Sequence, residues 1–559
     1  MGQLINHTLP NINQGVSQQH DESRQETQVE EMINCIPDIS RGIFRRNPFN
    51  TIFTDTTTFS STPNFYSHIF NRGVNETYMV QINGEGDLLV TDTTDGTTEL
   101  TVTAHPYLTT IGTDPYPNTY DSFTTLSIKD FTFIVNKNKV VEYTTAVDGT
   151  AGSELSKAVY WIKDTVAIVT DSFTKGTTDD TSTISNYEGY TYTLNGVSVT
   201  AERTYVWNAT TSTFDLDTDI ISAEDIATEL ATALGANYAS DGAFVYWVGT
   251  GNPTSWEWSD TSNNSASFGF NGEVSTSNRL PDTLSAGVIT EYTTIDVYVS
   301  GGTDDNIGYW VTYKDGVGWT EGRKPGMTNT LDPSTMPHVL VRDSLGVFHL
   351  VEYTTTALSA LSGLADTTLG WKPRLYGDTH TAVDPSFIGN TISDVVFYQN
   401  RLGFLSFDSV LFSEINVYGN FFPTSIRAFI ESDTIDLTVA TTDVSNLRYM
   451  IEFSNTLLLF SDTTQFVLVA DGGAISPGTA YISVISKNNM SPTTKPTVVG
   501  NKVYFISSLG GSEHLYAYYP SNKVQGKFIS MDVTAHTPTY FNKQINKIVG
   551  QSSLGYVVC

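Results

Sequence analysis

The chain has little cysteine: two in 559 residues, Cys35 and Cys559, near opposite ends. That excludes a disulfide framework and a cysteine-based metal knuckle. Long hydrophobic runs are missing too. None reaches the roughly 18 apolar residues that a membrane-crossing helix needs. The opening MGQLINHTLPNINQG has no basic, apolar and small-residue succession of the secretory kind. Synthesis in a cytoplasm, with no need for oxidation, is therefore expected. Basic residues are scarce, 29 Lys and Arg against 60 Asp and Glu, for a formal charge of −31. A freely exposed nucleic-acid reader would be basic, so sequence-specific DNA reading is not expected.

Catalytic signatures are equally sparse. There is no GxxxxGK[ST] phosphate loop and no HExxH. The nine histidines are scattered, with no two at i and i+4. Gly550-Gln551-Ser552-Ser553-Leu554 lacks the final glycine of a nucleophile elbow. Asp92, Asp95 and Glu99 lack the ligand spacing of a calcium loop, and Asp95-Gly96 reads as a hairpin turn. Sixty acids offer too many carboxylate pairs for any one pair to stand out as a glycoside-cleaving site. The expectation is no cofactor, no metal and no catalytic residue.

What the chain does have is strand-forming sequence. Thr, Val, Tyr and Phe are abundant and turn dipeptides are frequent. The stretch Asp394–Glu414, DVVFYQNRLGFLSFDSVLFSE, predicts three short strands, Val395–Tyr398, Leu402–Ser406 and Ser409–Ser413. Gln399-Asn400 and Phe407-Asp408 are the turns between them. Apolar residues on both faces imply a sheet covered on both sides. The pattern recurs: a polar turn residue, then alternating apolar positions. Asn400 precedes Leu402 and Phe404; Asn455 precedes Leu457 and Leu459; Asn501 precedes Val503 and Phe505; Asp130 precedes Thr132 and Ile134. The spacing between Asn400, Asn455 and Asn501 brackets the roughly 40–50 residues of a propeller blade. Phe397, Leu402, Gly403, Phe404, Leu457, Leu459, Val503 and Phe505 are the blade-core candidates.

The expected fold is therefore mainly β and multi-domain, a propeller-like body of three-to-four-stranded blades with a small inserted α+β domain. Residues 1–50 are too polar for a core of their own and predict an arm that packs on something else. It carries one short helix, about Glu26–Cys35, and the densest basic cluster, Arg41, Arg45 and Arg46, as partner-contact candidates. Residues 51–148 predict a first β part, with strands Tyr78–Ile82, Asp87–Thr91 and Leu100–Val102. Residues 149–290 predict the α+β insertion. It holds a flexible lead-in at Gly149–Ser153, strands Val159–Ile162 and Val166–Val169, and a hairpin at Asn195-Gly196. Its one well-signalled helix has Ser222 as cap, Asp225 at the capping-box position and Gly235 as stop. Strand Phe244–Val248 and the polar stretch Asp260–Ser267 follow. Residues 291–390 return to strands, with a hairpin at Asp315-Gly316. Residues 391–559 carry the clearest blades. The closing Tyr556-Val557-Val558-Cys559 reads as part of a strand that another chain or a continuation completes.

Several stretches, in order, resemble one family, the tail tubular protein B or nozzle proteins of short-tailed podoviruses. They are QGVSQQ (Gln14–Gln19) with Arg24 and the following Arg-Gly-x-x-Arg-Arg region, DFTFIVNKN (Asp130–Asn138), LDPSTMPHVLVR (Leu331–Arg342), PSFIGNTISDVVFYQNRLGFLS (Pro385–Ser406) with Phe412–Glu414, and LLLFSDTTQFVL (Leu457–Leu468). The residues of the 149–290 insertion match poorly, and known members continue beyond the equivalent of residue 559. The resemblance implies a structural protein of the virion tail. Six copies would form a ring below an adaptor ring of tail tubular protein A type, enclose the channel for genomic double-stranded DNA without reading its sequence, and help anchor tail fibres. The alternative, from another class, is a glycan-binding or glycan-degrading propeller used in host attachment. Charge is unevenly placed: residues 471–559 hold seven lysines and three acids, leaving −35 on the rest. A conduit that lets DNA slide is expected to be lined by Asp, Glu, Ser, Thr and Asn from residues before 471, because phosphate contacts from Lys and Arg would hold the duplex.

Overall fold

A computed structural model describes residues 12–38, 40–46, 48, 51, 65–73, 76–110, 119–144, 158–162, 184–208, 210–211, 213–220, 222–250, 253, 255–261, 267–270, 273–274, 280–292, 295–300, 308–366, 368–440, 446–470, 473–520, 528–552 and 556–559. The fold is mainly β, built of many small antiparallel sheets. Val166–Val169, Gly149–Ser153 and most of Asp260–Ser267 lie outside the described residues.

Five four-stranded antiparallel sheets follow one another. Sheet I comprises Tyr66–Gly73, Glu76–Ile82, Leu88–Asp92 and Thr98–Val102. Sheet II joins Phe123–Ile128 and Phe131–Asn136 to His338–Arg342 and Phe348–Glu352, so two distant parts of the chain share it. Sheet III comprises Asp394–Tyr398, Arg401–Ser406, Ser409–Phe412 and Ile435–Thr438. Sheet IV comprises Leu447–Phe453, Thr456–Ser461, Gln465–Ala470 and Ala480–Ser486. Sheet V comprises Thr497–Val499, Lys502–Leu509, Ser512–Pro520 and Phe528–Asp532. A two-stranded sheet VI, Val549–Gln551 with Tyr556–Val558, comes last.

The turns explain why strands form where they do. Gln399 and Asn400 take φ of 47° and 60°, and Ser454 and Asn455 take 51° and 60°. Two successive residues at positive φ make the tight hairpin whose twist matches its strands. Lys129 and Gly500 are left-handed at the equivalent corners of sheets II and V. After each corner the alternating apolar residues enter the space between neighbouring sheets. Leu402 and Phe404 pack with Phe133, Val339 and Val341 between sheets II and III. Leu457 and Leu459 pack with Val396 and Leu405 between III and IV. Val503 and Phe505 pack with Phe460 and Leu458 between IV and V. Phe397 is half-buried, edge-on to Tyr418. Sheets I and II share Val80, Val90, Ile134 and Leu340, and sheets V and VI share Ile506, Leu515 and Val557 with Ile545 and Ile548. The first strands of sheets I to VI also touch their neighbours in chain order.

Between the two halves of sheet II the chain builds three further four-stranded sheets. One holds the long hairpin Ile184–Leu194 and Val197–Asn208, turned at Asn195 and Gly196, both at positive φ. The helix Ala223–Leu234 has the expected capping box: Ser222 Oγ accepts from Asp225 N, and Asp225 Oδ2 accepts from Ser222 N. Ile226 and Leu230 bury against Tyr160, Tyr192 and Val245. Ile295–Val299 and Tyr309–Lys314 pack with Val159, Phe244 and Tyr246 of the same region.

The helix expected at Glu26–Cys35 is absent. Gly15–Ser17 pairs with Val29 instead: Ser17 N donates to Val29 O and Val29 N to Gly15 O. Asn34 is left-handed at φ 54°, and Cys35–Asp38 pairs with Gly42–Arg45. The backbone groups a helix would use are thus taken by a partner that periodicity does not reveal. Ile33, on the supposed apolar stripe, is 68% exposed.

Gly403 sits mid-strand in sheet III. A Cβ there would lie 2.7 Å from the Phe412 ring and 2.9 Å from Val396 Cγ1. Overpacking of this kind costs about 1–3 kcal/mol. Gly403→Ala is expected to lower the unfolding free energy obtained from urea titration by that amount, and Gly403→Asp to impair folding, since it adds a buried charge. Unchanged stability of both would contradict the packing.

Candidate functional site

The starts of the first strands meet at a polar cluster. Asp394, the first residue of sheet III, is fully buried. Its Oδ1 accepts from Thr124 Oγ1 at 2.8 Å and from Lys495 Nζ at 2.6 Å. Its Oδ2 accepts from the backbone N–H of Met450 at 2.9 Å. Thr124 belongs to sheet II, Met450 to sheet IV, and Lys495 precedes sheet V by two residues. One carboxylate therefore ties four successive sheets. A buried charge persists only when such donors satisfy it.

A second buried carboxylate stands beside it. Asp121, just before sheet II, accepts from Lys137 Nζ at 3.5 Å. The Lys137 ammonium also lies 5.0 Å over the Tyr449 ring. The Tyr449 hydroxyl donates to Pro492 O at 2.7 Å and stands 3.3 Å from Asp121 Oδ1. Burial pulls the Lys137 pKa down, against the attraction of Asp121 and Asp394. Sheets I and II are linked by Tyr66 to Thr125 at 2.8 Å and by His68 Nε2 to Ser127 Oγ at 3.0 Å. Lys547, before sheet VI, donates to Ser67 O and Oγ of sheet I, each at 3.1 Å. Polar links thus join sheet I to sheet II, sheets II to IV and the approach to sheet V through Asp394, and the approach to sheet VI to sheet I.

These groups surround a cavity of about 490 Å³. Tyr66, Phe123, Tyr449, Lys137, Lys495 and Lys547 are among its walls. Burial pushes the Tyr66 hydroxyl up to about 12 and the His68 imidazole down to about 4, the latter helped by Lys547 and Lys495. Among the described residues no three His, Cys, Asp or Glu converge as a metal site.

The sequence-predicted residues lie elsewhere. Leu402, Phe404, Leu457, Leu459, Val503 and Phe505 are fully buried between sheets, remote in role from the cluster. Arg41 and Arg45 are exposed on the N-terminal hairpin, and Arg46 donates to Asn34 Oδ1 at 3.4 Å. The cluster itself was not singled out. Its signals were an acid opening the apolar run Asp394-Val395-Val396-Phe397, and a lysine closing Phe131–Asn136.

The chain matches the family described as bacteriophage nozzle protein over residues 2–559. It belongs to that family. It is thus a structural component of a phage virion tail. One relative is tail tubular protein gp12 of Escherichia phage T7, 32% identical over 235 residues. That alignment covers 42% of this chain and 28% of the relative, so the chain matches well under two thirds of the relative's length. Among solved structures, the Cps50 (Swd1) β-propeller domain of Myceliophteria thermophila aligns with TM-score 0.29 and 7% identity, covering 89% of this chain and 93% of that one. A score that low carries no argument.

Acid should weaken this nozzle-family fold. His68 and His338 have folded pKa values of about 4, below their ordinary 6.5, chiefly through burial. Between those values the unfolded chain binds protons that the folded chain does not, so stability falls as pH drops from 6.5 to 4. His68→Gln is expected to flatten part of that slope in urea titrations at stepped pH; an unchanged slope would contradict the assignment.

Proposed function

We propose that copies of this chain, six of them, form a ring below an adaptor ring in the tail, enclose the channel through which double-stranded DNA leaves, and help anchor tail fibres. The family match over residues 2–559 is the observation that carries this reading. Sheets I to VI would be propeller blades; the chain-order contacts of their first strands and their interleaved apolar faces support that arrangement. The proposed division is an arm at 1–50, two body parts on either side of an α+β insertion, and blades from 391 onward. Packing of Ile295–Val299 and Tyr309–Lys314 on Val159 and Phe244 supports extending the insertion past residue 290. The arm is proposed to seat on its own body before meeting a partner through Arg41, Arg45 and Arg46. Support comes from Gln18, whose N–H donates to His536 O and whose Oε1 accepts from Thr539 N.

The glycan-enzyme alternative needs two carboxyl groups free for acid and nucleophile work. Asp121 in the cavity wall and Asp394 beneath it are each engaged by a lysine, and no observation favours that reading. The DNA channel is proposed to be lined by acids and small polar residues from before 471. Lys495, Lys502 and Lys547 make contacts within the chain, to Asp394, the Tyr519 ring and Ser67, which supports keeping them off the DNA. Electron cryo-microscopy of the assembled tail tests the proposal. The expected result is a six-fold ring with an acidic lumen; a ring of Lys487, Lys495 or Lys502 on the lumen, or a monomer, would overturn it.

A further inference from the structure

The central cavity carries more positive charge than its acids neutralise. Three lysines, Lys137, Lys495 and Lys547, face two carboxylates, Asp121 and Asp394. Asp121 is the only carboxylate among the described lining residues, and Lys137 holds it. Asp394, beneath, is held by Lys495. Lys547 has only neutral acceptors, the carbonyl and hydroxyl oxygens of Ser67, and no acid within ion-pair distance among the described residues. An ammonium has three N–H donors. Lys547 places two on Ser67, so one remains for a ligand. Lys495 also lines the cavity, with its side chain 41% exposed. The field of both lysines is felt at His68, whose protonation they oppose. The walls between them are aromatic and apolar, with Phe65, Tyr66, Phe123, Tyr449, Pro496 and Ile548. Ring-sized ligands take cavities of about 300–1,000 Å³ with apolar walls and a few placed polar groups, and this cavity of about 490 Å³ lies within that range.

We propose that this cavity is a binding site for a single carboxylate on a ring-sized apolar body, its oxygens between Lys547 and Lys495 and its ring against Tyr66 and Tyr449. The carboxylate belongs either to a free small acid or to a residue of a neighbouring protein; the chemistry recognised is the same. Ammonium-to-carboxylate hydrogen bonds are charge-assisted and exceed neutral ones in strength. The full chain is titrated calorimetrically with benzoate, with benzamide as its uncharged counterpart, and with an N-acetyl-phenylalanyl-glutamate amide peptide. Benzoate is expected to bind saturably, with affinity falling as salt rises, and benzamide about tenfold or more weaker. Lys547→Met, at the accessible rim, is expected to weaken benzoate about tenfold while the chain still folds and melts cooperatively. Lys543→Met, a lysine that does not line the cavity, is expected to leave binding unchanged. Tighter binding of the peptide than of benzoate assigns the carboxylate to a protein neighbour, and the reverse assigns it to a free acid; both support the site. Equal binding of benzoate and benzamide, no saturable binding, or equal loss in both lysine variants would overturn it.

Discussion

The buried carboxylate of Asp394 is the constraint on which the rest of the body depends. Apolar burial drives the sheets together, but it is non-directional and scales with area. It does not determine how one sheet is placed against the next. A carboxylate with no access to water is different. It needs donors at fixed positions, and removing the lysine among them leaves a buried charge uncompensated, at a cost of several kcal/mol. Thr124, Met450 and Lys495 supply those donors from sheet II, sheet IV and the approach to sheet V. The apolar layers contribute most of the stability, and the carboxylate selects one mutual arrangement of the layers. Asp121 with Lys137 and Tyr449 repeats the device one layer away.

That division of labour fits a virion tail component. Such a protein assembles with other tail proteins. At the meeting point of the sheets both acids are committed to lysines, which favours one fixed geometry there. The surplus cation at Lys547 is the exception, since Ser67 takes two of its hydrogen bonds without neutralising its charge.

Much of the sheet structure was legible in the sequence because it is local. Asn400 and Asn455 tolerate positive φ, and Leu402, Phe404, Leu457 and Leu459 alternate behind them, so turn and strand point to the same answer. The helix Ala223–Leu234 was legible for the same reason, since its cap and stop lie within the segment. What failed was non-local. The pairing of Phe131–Asn136 with His338–Arg342 spans the whole inserted region and leaves no trace in either strand. The segment Glu26–Cys35 has an apolar stripe, yet Gly15–Ser17 claims its backbone. The polar cluster was hidden because Thr124 lies 270 residues from Asp394, and Lys495 lies 101 away. Each reads alone as an ordinary polar residue, and only the fold brings them within hydrogen-bond distance.

Native-state hydrogen exchange on the wild type and on Asp394→Ala tests the central claim most directly. The substitution leaves Thr124 Oγ1 and the Met450 amide without their acceptor, both in buried positions. The account predicts that protection falls together in Phe123–Ile128, Asp394–Tyr398, Leu447–Phe453 and Thr497–Val499. Loss of protection confined to Asp394–Tyr398, with the other three strands unchanged, would contradict it.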